Sequence, residues 1–304
     1  MAYVFGPVPS RRLGLSLGVD LTPRKTCTYD CLYCQVGRTT QITAEPNSFV
    51  PVKEVIHELE QKLRCVTPDF VTISGSGEPT LHSQIDEIIA YVKRRKKFRV
   101  AVLTNGSLFW RKEVMERVLG ADMIMPTCST VFEETYKAIH RPHPGITVDL
   151  VLSGLKSLRQ AFRGQLFLEV MLLKGFNESE REIMALRSVI EDIDPDRVQL
   201  NTVVRPPSDS RAVALDMKTL EGIKKCFGAA GEIIADGQRE STDQRFDTLF
   251  AQVLEMAKRR PVRAADVANA LGVPLGEVKS LLKRLEEGGS LHSREHGNDT
   301  YYIV

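Results

Sequence analysis

The chain reads as an α/β protein, a partial (β/α)6 barrel of the TIM-like kind carrying a C-terminal winged helix-turn-helix domain. Two observations predict this. From about residue 13 to residue 235, apolar segments of strand length alternate with amphipathic segments of helix length, and glycine or polar residues follow most of the strands. The pattern then stops at residues 235–244, ADGQRESTDQ, which are polar and carry no apolar period, so they read as a linker. The expected division is residues 1–243 for the barrel and 244–304 for the winged helix.

Residues 13–21 are the first expected strand, followed by a long polar loop through Arg38. A helix is expected over 53–63, where Val55, Ile56, Leu59 and Leu63 keep the 3.6-residue period of a face packed on a sheet. Further strands are expected at 71–74, 100–103, 123–125, 166–172 and 198–204, with helices at 85–93, 114–119, 146–162 and 180–190. Six repeats fall short of the eight that close a barrel. No G-x-G-x-x-G follows the first strand, which argues against a dinucleotide-binding open sheet. Beyond the linker, helix-length segments at 246–259, 264–271 and 275–288 precede an alternating end at 291–304 that turns at His296-Gly297-Asn298-Asp299.

A chain of 304 residues with 42% hydrophobic content can bury a large core and a small one. Lys and Arg number 41 against 39 Asp and Glu, a balance that advertises no polyanion partner. No apolar run approaches the roughly 20 residues of a membrane span, and the N-terminus lacks a signal peptide's apolar stretch, so a cytoplasmic protein with no membrane partner is expected.

Cytosolic thiols stay reduced, so the six cysteines raise metal or redox chemistry before disulfides. Cys27, Cys31 and Cys34 lie together as C-T-Y-D-C-L-Y-C, whereas the solitary Cys65, Cys128 and Cys226 read as core thiols. Soft thiolates bind zinc or iron-sulfur clusters. Structural zinc normally takes four ligands, often as two separated pairs, and no second pair follows here. An iron-sulfur cube held by three cysteines leaves one iron open to a small molecule. Tyr33 either sets its ring beside such a cluster or packs the loop.

With C-x3-C-x2-C after the first strand of a βα series, residues 1 to about 235 resemble the radical SAM superfamily. The stretch FGPVPSRRLGLSLGVDLTPRKTCTYDCLYCQVGRTT is similar to a bacterial and archaeal group loosely labelled as relatives of the tRNA wyosine synthetases. The resemblance implies that Cys27, Cys31 and Cys34 hold a 4Fe-4S cluster. Its fourth iron would take the amino and carboxylate groups of S-adenosylmethionine. An electron, from a donor such as a flavodoxin or ferredoxin, would then release methionine and a 5'-deoxyadenosyl radical that abstracts a substrate hydrogen.

The same resemblance marks residues at later strand exits. Ser74-Gly75-Ser76-Gly77-Glu78-Pro79-Thr80 is similar to the superfamily's G-G-E-P element, with Ser76 in place of the first glycine. Gly77 permits close backbone approach, and Pro79 lacks an N–H, so carbonyls here are expected to accept from the methionine ammonium. Taken alone, the segment is a turn with a solvated Glu78. Thr104 and Asn105, in T-N-G, are candidates for ribose or carboxylate contacts, against ordinary turn chemistry. Thr127 and Ser129 stand where relatives show S-L-D, which loses a carboxylate. Cys128 between them reads as a small buried apolar residue.

Within 138–144, AIHRPHP, two histidines three apart suggest a metal pair or an acid/base couple, but prolines at 142 and 144 predict a non-helical loop, so His140, Arg141 and His143 either face the substrate or lie in a plain surface loop. Glu169, alone in the apolar run LFLEVMLL, is either paired with a core cation or turned into the pocket. Asn201 and Arg205 lie where late-strand residues of the superfamily meet the cofactor or an anionic substrate, and an arginine clamps such groups bidentately. Arg11 and Arg12 are a solvated pair or a rim contact.

Residues 251–304 hold eight basic residues against seven acidic ones, a weak excess for a DNA reader. The module is expected to recruit an RNA or protein substrate. The alternative is a metal-thiolate winged-helix regulator that binds nucleic acid, which needs a fourth local ligand and a basic reading helix.

Overall fold

The computed structural model describes residues 3–10, 12–234, 249–250, 253–254, 256–257, 261–271, 273–296 and 299–304. The first strands are β1 (Val4–Ser10), β2 (Gly14–Val19) and two short ones, β3 (Thr26–Cys27) and β4 (Gln41–Ile42). Helix α1 (Val52–Cys65) then leads to β5 (Phe70–Ile73), α2 (Ile85–Arg94) and β6 (Arg99–Thr104). Next come α3 (Lys112–Val118), β7 (Met123–Pro126), α4 (Glu133–His140), α5 (Val148–Ala161) and β8 (Gln165–Met171). The last units of the large sheet are α6 (Glu180–Ile193), β9 (Arg197–Asn201), α7 (Met217–Cys226) and β10 (Gly231–Ile233).

Eight strands pair in the order β1-β2-β5-β6-β7-β8-β9-β10. Strands β2 through β10 of this series run parallel, and β1 joins antiparallel to β2. The six expected strands are therefore present, with two corrections. A seventh parallel strand, β10, is only three residues long, too short for a period to register. The other, β1, holds Gly6, Pro7 and Pro9, which spoil a strand pattern in sequence but are tolerated at a sheet edge.

Alternation along the strands separates two faces. Val71, Ile73, Val100, Val102, Ile124, Leu168 and Leu200 join the helices in the main core. The residues between them, including Phe70, Ala101, Met123 and Met125, cluster with Leu13 and Phe167 and with no helix residue. Among the described residues, helices thus pack on one face of the sheet only. That is the arrangement of a partial barrel, and it disfavours a doubly wound sheet, which needs helices on both faces.

The 138–144 segment corrects a further expectation. Helix α4 runs to His140 and stops at Arg141, whose φ of 44° is left-handed. Proline disfavours helix in the residue before it, so Pro142 ends the helix at Arg141 without dissolving the preceding turns. His140 is consequently buried, while His143 lies in the following loop. Of the solitary thiols, Cys128 is buried as expected, but Cys65 is exposed at the end of α1.

The C-terminal residues form α8 (Ala264–Leu271), α9 (Leu275–Glu287) and an antiparallel hairpin of β11 (His292–His296) with β12 (Asp299–Ile303). They have their own apolar core, built on Val267, Val278, Leu281, Leu282, Leu285 and Leu291. The expected linker, most of the 246–259 helix, residues 297–298 of the turn, and Arg11 lie outside the described residues.

Candidate active site

The cysteine loop leaves the C-terminal end of β2 and is pinned against the exit of β5. Lys25 N donates to Ser76 O at 2.9 Å, and Glu78 N donates to Thr26 O at 3.1 Å. A Cβ on Gly77 would fall 1.9 Å from Thr26 O, so only glycine lets the two backbones meet. The short β3–β4 ladder closes the far side of the loop.

Cys27, Cys31 and Cys34 are half-buried and form no disulfide. Each sulfur faces one nitrogen from a different part of the chain. Lys25 Nζ donates to Cys34 Sγ at 3.1 Å, and Asn105 Nδ2 donates to Cys27 Sγ at 3.6 Å. His140 Nδ1 lies 3.4 Å from Cys31 Sγ and 3.3 Å from the Tyr33 hydroxyl. Burial, followed by the Glu78 carboxylate, pushes the Cys27 thiol up to about 12, and burial likewise raises Cys31 well above its ordinary value. His140 sits among the rings of Tyr29, Tyr33 and Tyr136, and burial pushes its imidazole down to about 3.

Glu78 is 2% exposed, not the solvated residue of an isolated turn. Its Oε1 accepts from Thr80 N at 3.0 Å and from the hydroxyls of Thr80 and Thr104 at 2.6 Å each, while Oε2 accepts from Asn105 N at 2.8 Å. Pro79 opens the single 3-10 turn, Pro79–Leu81, that Glu78 caps. Glu78 therefore ties the β5 exit to the β6 exit. Thr104 is spent on this tie, and Asn105 reaches the cysteine loop through Cys27 and through Thr28 Oγ1 at 2.7 Å. The Ser76 hydroxyl donates to Asp20 Oδ2 at 2.6 Å.

Further round the sheet, Glu169, Gln199 and Glu232 stand in register on β8, β9 and β10, and Thr127, one residue past the end of β7, bridges to Glu169. Glu169 is both paired and turned to the inner face. It lies 3.1 Å from Arg12 Nη2, accepts from Asn201 Nδ2 at 3.0 Å and from Thr127 Oγ1 at 3.4 Å, and keeps 16% side-chain exposure. Tyr33 lies close enough to Glu169 for its phenol to be raised by that charge, after burial and Cys31.

Two expected contacts lie elsewhere. The Ser129 hydroxyl is 2% exposed and accepts from Met171 N at 3.1 Å, so it braces β7 to β8. Arg205 follows the end of β9 on the rim, where its Nη1 donates to Gln35 Oε1 at 3.0 Å. Sequence reasoning did not mark Lys25, Gln199 or the strap at Ser208 and Asp209. The strap grips the cysteine loop through Ser208 Oγ to Cys31 O at 2.8 Å and Asp209 N to Leu32 O at 3.1 Å. Gln199, Ser208 and Asp209 meet partners remote in the chain, so nothing local signals them; Lys25 lies only nine residues from Cys34, but no spacing shows that its ammonium turns back to that sulfur.

Parallel strands with helices on one face, and three free thiols on the loop after the first of them, define a class of protein, the radical SAM enzymes. The model of the Radical SAM superfamily matches residues 21–187, and the chain belongs to that superfamily, whose enzymes use a 4Fe-4S cluster and S-adenosylmethionine. More particularly, a UPF0026 protein of Methanocaldococcus jannaschii is 30% identical over 313 residues, covering 100% of this chain and 96% of that protein. A protein of Brachyspira hyodysenteriae named GTPase Obg is 35% identical over 292 residues, covering 95% of this chain, which spans 43% of that protein's length. Among solved structures, TYW1 with a lysine-pyruvate adduct superposes with a TM-score of 0.54 at 18% identity, covering 70% of this chain and 72% of that one, a likeness of fold.

The donor set fits such a cluster. Three thiols on one loop are free of disulfides, and each has a nitrogen within reach to meet a sulfur's charge. Among the described residues no three His, Cys, Asp or Glu side chains gather closely enough for a single metal ion. Membership of the radical SAM superfamily is what disfavours the metal-thiolate regulator.

Proposed function

We propose that this chain is a radical SAM enzyme in which Cys27, Cys31 and Cys34 hold the 4Fe-4S cluster and the exits of β5 to β9 receive S-adenosylmethionine and the substrate. The observation that carries this reading is the set of three half-buried, unpaired thiols at the C-terminal ends of the parallel strands, each met by a nitrogen. When bound, the cluster supplies the electron that splits the cofactor's sulfonium and yields a hydrogen-abstracting 5'-deoxyadenosyl radical.

The residues divide the remaining work. Ser76, Gly77 and Pro79 present backbone beside the cysteine loop, where carbonyls receive the methionine ammonium. Glu78 and Thr104 hold that wall in place through the hydrogen bonds already described, and Asn105 extends it to the cysteine loop. Thr127, Glu169 and Asn201, with Arg12, offer polar groups to ribose hydroxyls or substrate from the inner face. Tyr33 covers the cluster's flank and helps to exclude water, Ser129 acts through the backbone it braces, and Arg205 guards the rim beside Gln35.

Residues 1–243 would form this catalytic barrel and 244–304 a winged helix that recruits an RNA or protein substrate. Support for the second assignment is the order of two helices and a hairpin over a separate apolar core. The electron donor would be a flavodoxin or ferredoxin and the compartment the cytoplasm; no helix among the described residues is long and apolar enough to cross a membrane. The test is anaerobic reconstitution followed by chemical reduction in the presence of S-adenosylmethionine. Formation of 5'-deoxyadenosine and methionine is expected, and its absence from a protein loaded with cluster would defeat the reading.

A further inference from the structure

Lys25 is a buried cation that the barrel's own packing does not explain. It is 6% exposed, and among the described residues no carboxylate lies within 4 Å of its ammonium. A buried charge without an opposite charge is strongly disfavoured in a folded protein. Yet the chain invests in placing it there. Lys25 adopts a left-handed φ of 63°, a region L residues enter rarely. Its backbone is held on both sides: the N–H donates to Ser76 O at 2.9 Å, and the carbonyl accepts from Thr40 N and Gln41 N at 3.1 Å each. The result is an ammonium aimed at one sulfur, Cys34 Sγ, at 3.1 Å.

We infer that Lys25 is the counter-charge of the cluster and sets how readily it is reduced, while the uncharged side chains of His140 and Asn105 bring hydrogen-bonding nitrogens to the other two sulfurs. The inference rests on the proposal that Cys27, Cys31 and Cys34 hold a 4Fe-4S cluster. Taking up one electron from a reduced flavodoxin or ferredoxin adds one negative charge to the cluster and leaves the donor oxidised by one electron. No proton is needed for balance. A fixed cation beside a ligating sulfur stabilises the more negative, reduced form, and hydrogen bonds to cluster sulfurs act in the same direction. The placement also has a geometric logic. The three nitrogens come from the cysteine loop itself, from the β6 exit and from the end of α4, so correct folding of three separate elements is needed before the cluster reaches its working potential.

The experiment uses the full chain, reconstituted anaerobically, as wild type, Lys25→Met, Lys25→Arg and His140→Phe. Iron per chain is measured first, and then the midpoint potential by redox titration followed by electron paramagnetic resonance. Lys25→Met is expected to keep its iron and to show a roughly tenfold smaller reduced-to-oxidised ratio at the wild-type midpoint, a shift of about 59 mV downward for a one-electron couple. Lys25→Arg, which retains the charge, should stay close to wild type, and His140→Phe should shift downward by less. A loaded Lys25→Met protein with an unchanged midpoint overturns the inference and leaves the cluster assignment intact. If Lys25→Met takes up no iron, Lys25→Gln, uncharged but still polar, carries the test, and an unchanged midpoint there overturns the inference. A wild-type protein that takes up no iron overturns the cluster assignment itself.

Discussion

At the scale of single residues, the buried side chains of Glu78, Thr104 and Ser129 each have named partners, and those partners say what each can do. Burial pushes the Glu78 carboxyl above its ordinary range, while hydrogen bonds from Thr104, Thr80 and Asn105 pull it back down. In Glu78→Gln, the amide NH2 must face either Thr80 N–H or Asn105 N–H, a donor against a donor whichever way it turns. We expect a loss of about 2 kcal/mol in chemical denaturation, and weaker cluster retention because the two strand exits lose their tie. His82 gives a pH signature. Its Nε2 donates to Val50 O at 3.0 Å and its Nδ1 accepts from Gln84 N at 3.2 Å, which fixes the neutral tautomer. Burial lowers its pKa below the usual 6.5, so the unfolded chain binds more protons in the window beneath that value. Stability should therefore be fully present above pH 6.5 and fall as pH drops below it, by at most about 1.4 kcal/mol per unit. Compared in urea at pH 7.5 and 5.5, the margin of wild type over His82→Gln should narrow at the lower pH.

Single elements show how far local sequence reaches. The six central strands and five helices of the main core were legible because each shows a clean period against one packed face, as do Val71 and Ile73 or Val55 and Leu59, whereas the short helices α4 and α7 were not expected. The rest follows from contacts between distant segments. β1 depends on pairing with β2, β10 on pairing with β9, and the burial of His140 on the tyrosines that surround it. The cysteine spacing was readable, whereas the nitrogen opposite each sulfur was not, since two of the three lie more than 75 residues from their cysteine. Likewise, a hydroxyl at a strand exit identifies Ser129 as a candidate without showing that Met171 N already occupies it. The tightest inter-element contact yields the element-scale prediction. Gly77→Ala places a methyl against the Thr26 carbonyl and must force the cysteine loop off the β5 exit. A destabilisation of about 2 kcal/mol is expected, together with reduced iron uptake on reconstitution.

For the whole molecule, helices among the described residues pack on one face of the sheet, and the polar row of Thr127, Glu169, Gln199 and Glu232 lies across the strand ends. The sheet, the strand-exit loops and the cysteine loop converge on one place, where the proposed cube of iron and sulfur would sit. Metal and sulfide analysis of the anaerobically reconstituted protein, with Mössbauer spectroscopy and with Cys27→Ala, Cys31→Ala and Cys34→Ala compared side by side, tests that assignment most directly. About four iron atoms per wild-type chain in a single cubane are expected, lost or degraded in each cysteine variant. Stoichiometric zinc without iron in the wild type, or full iron retained by the cysteine variants, would contradict it.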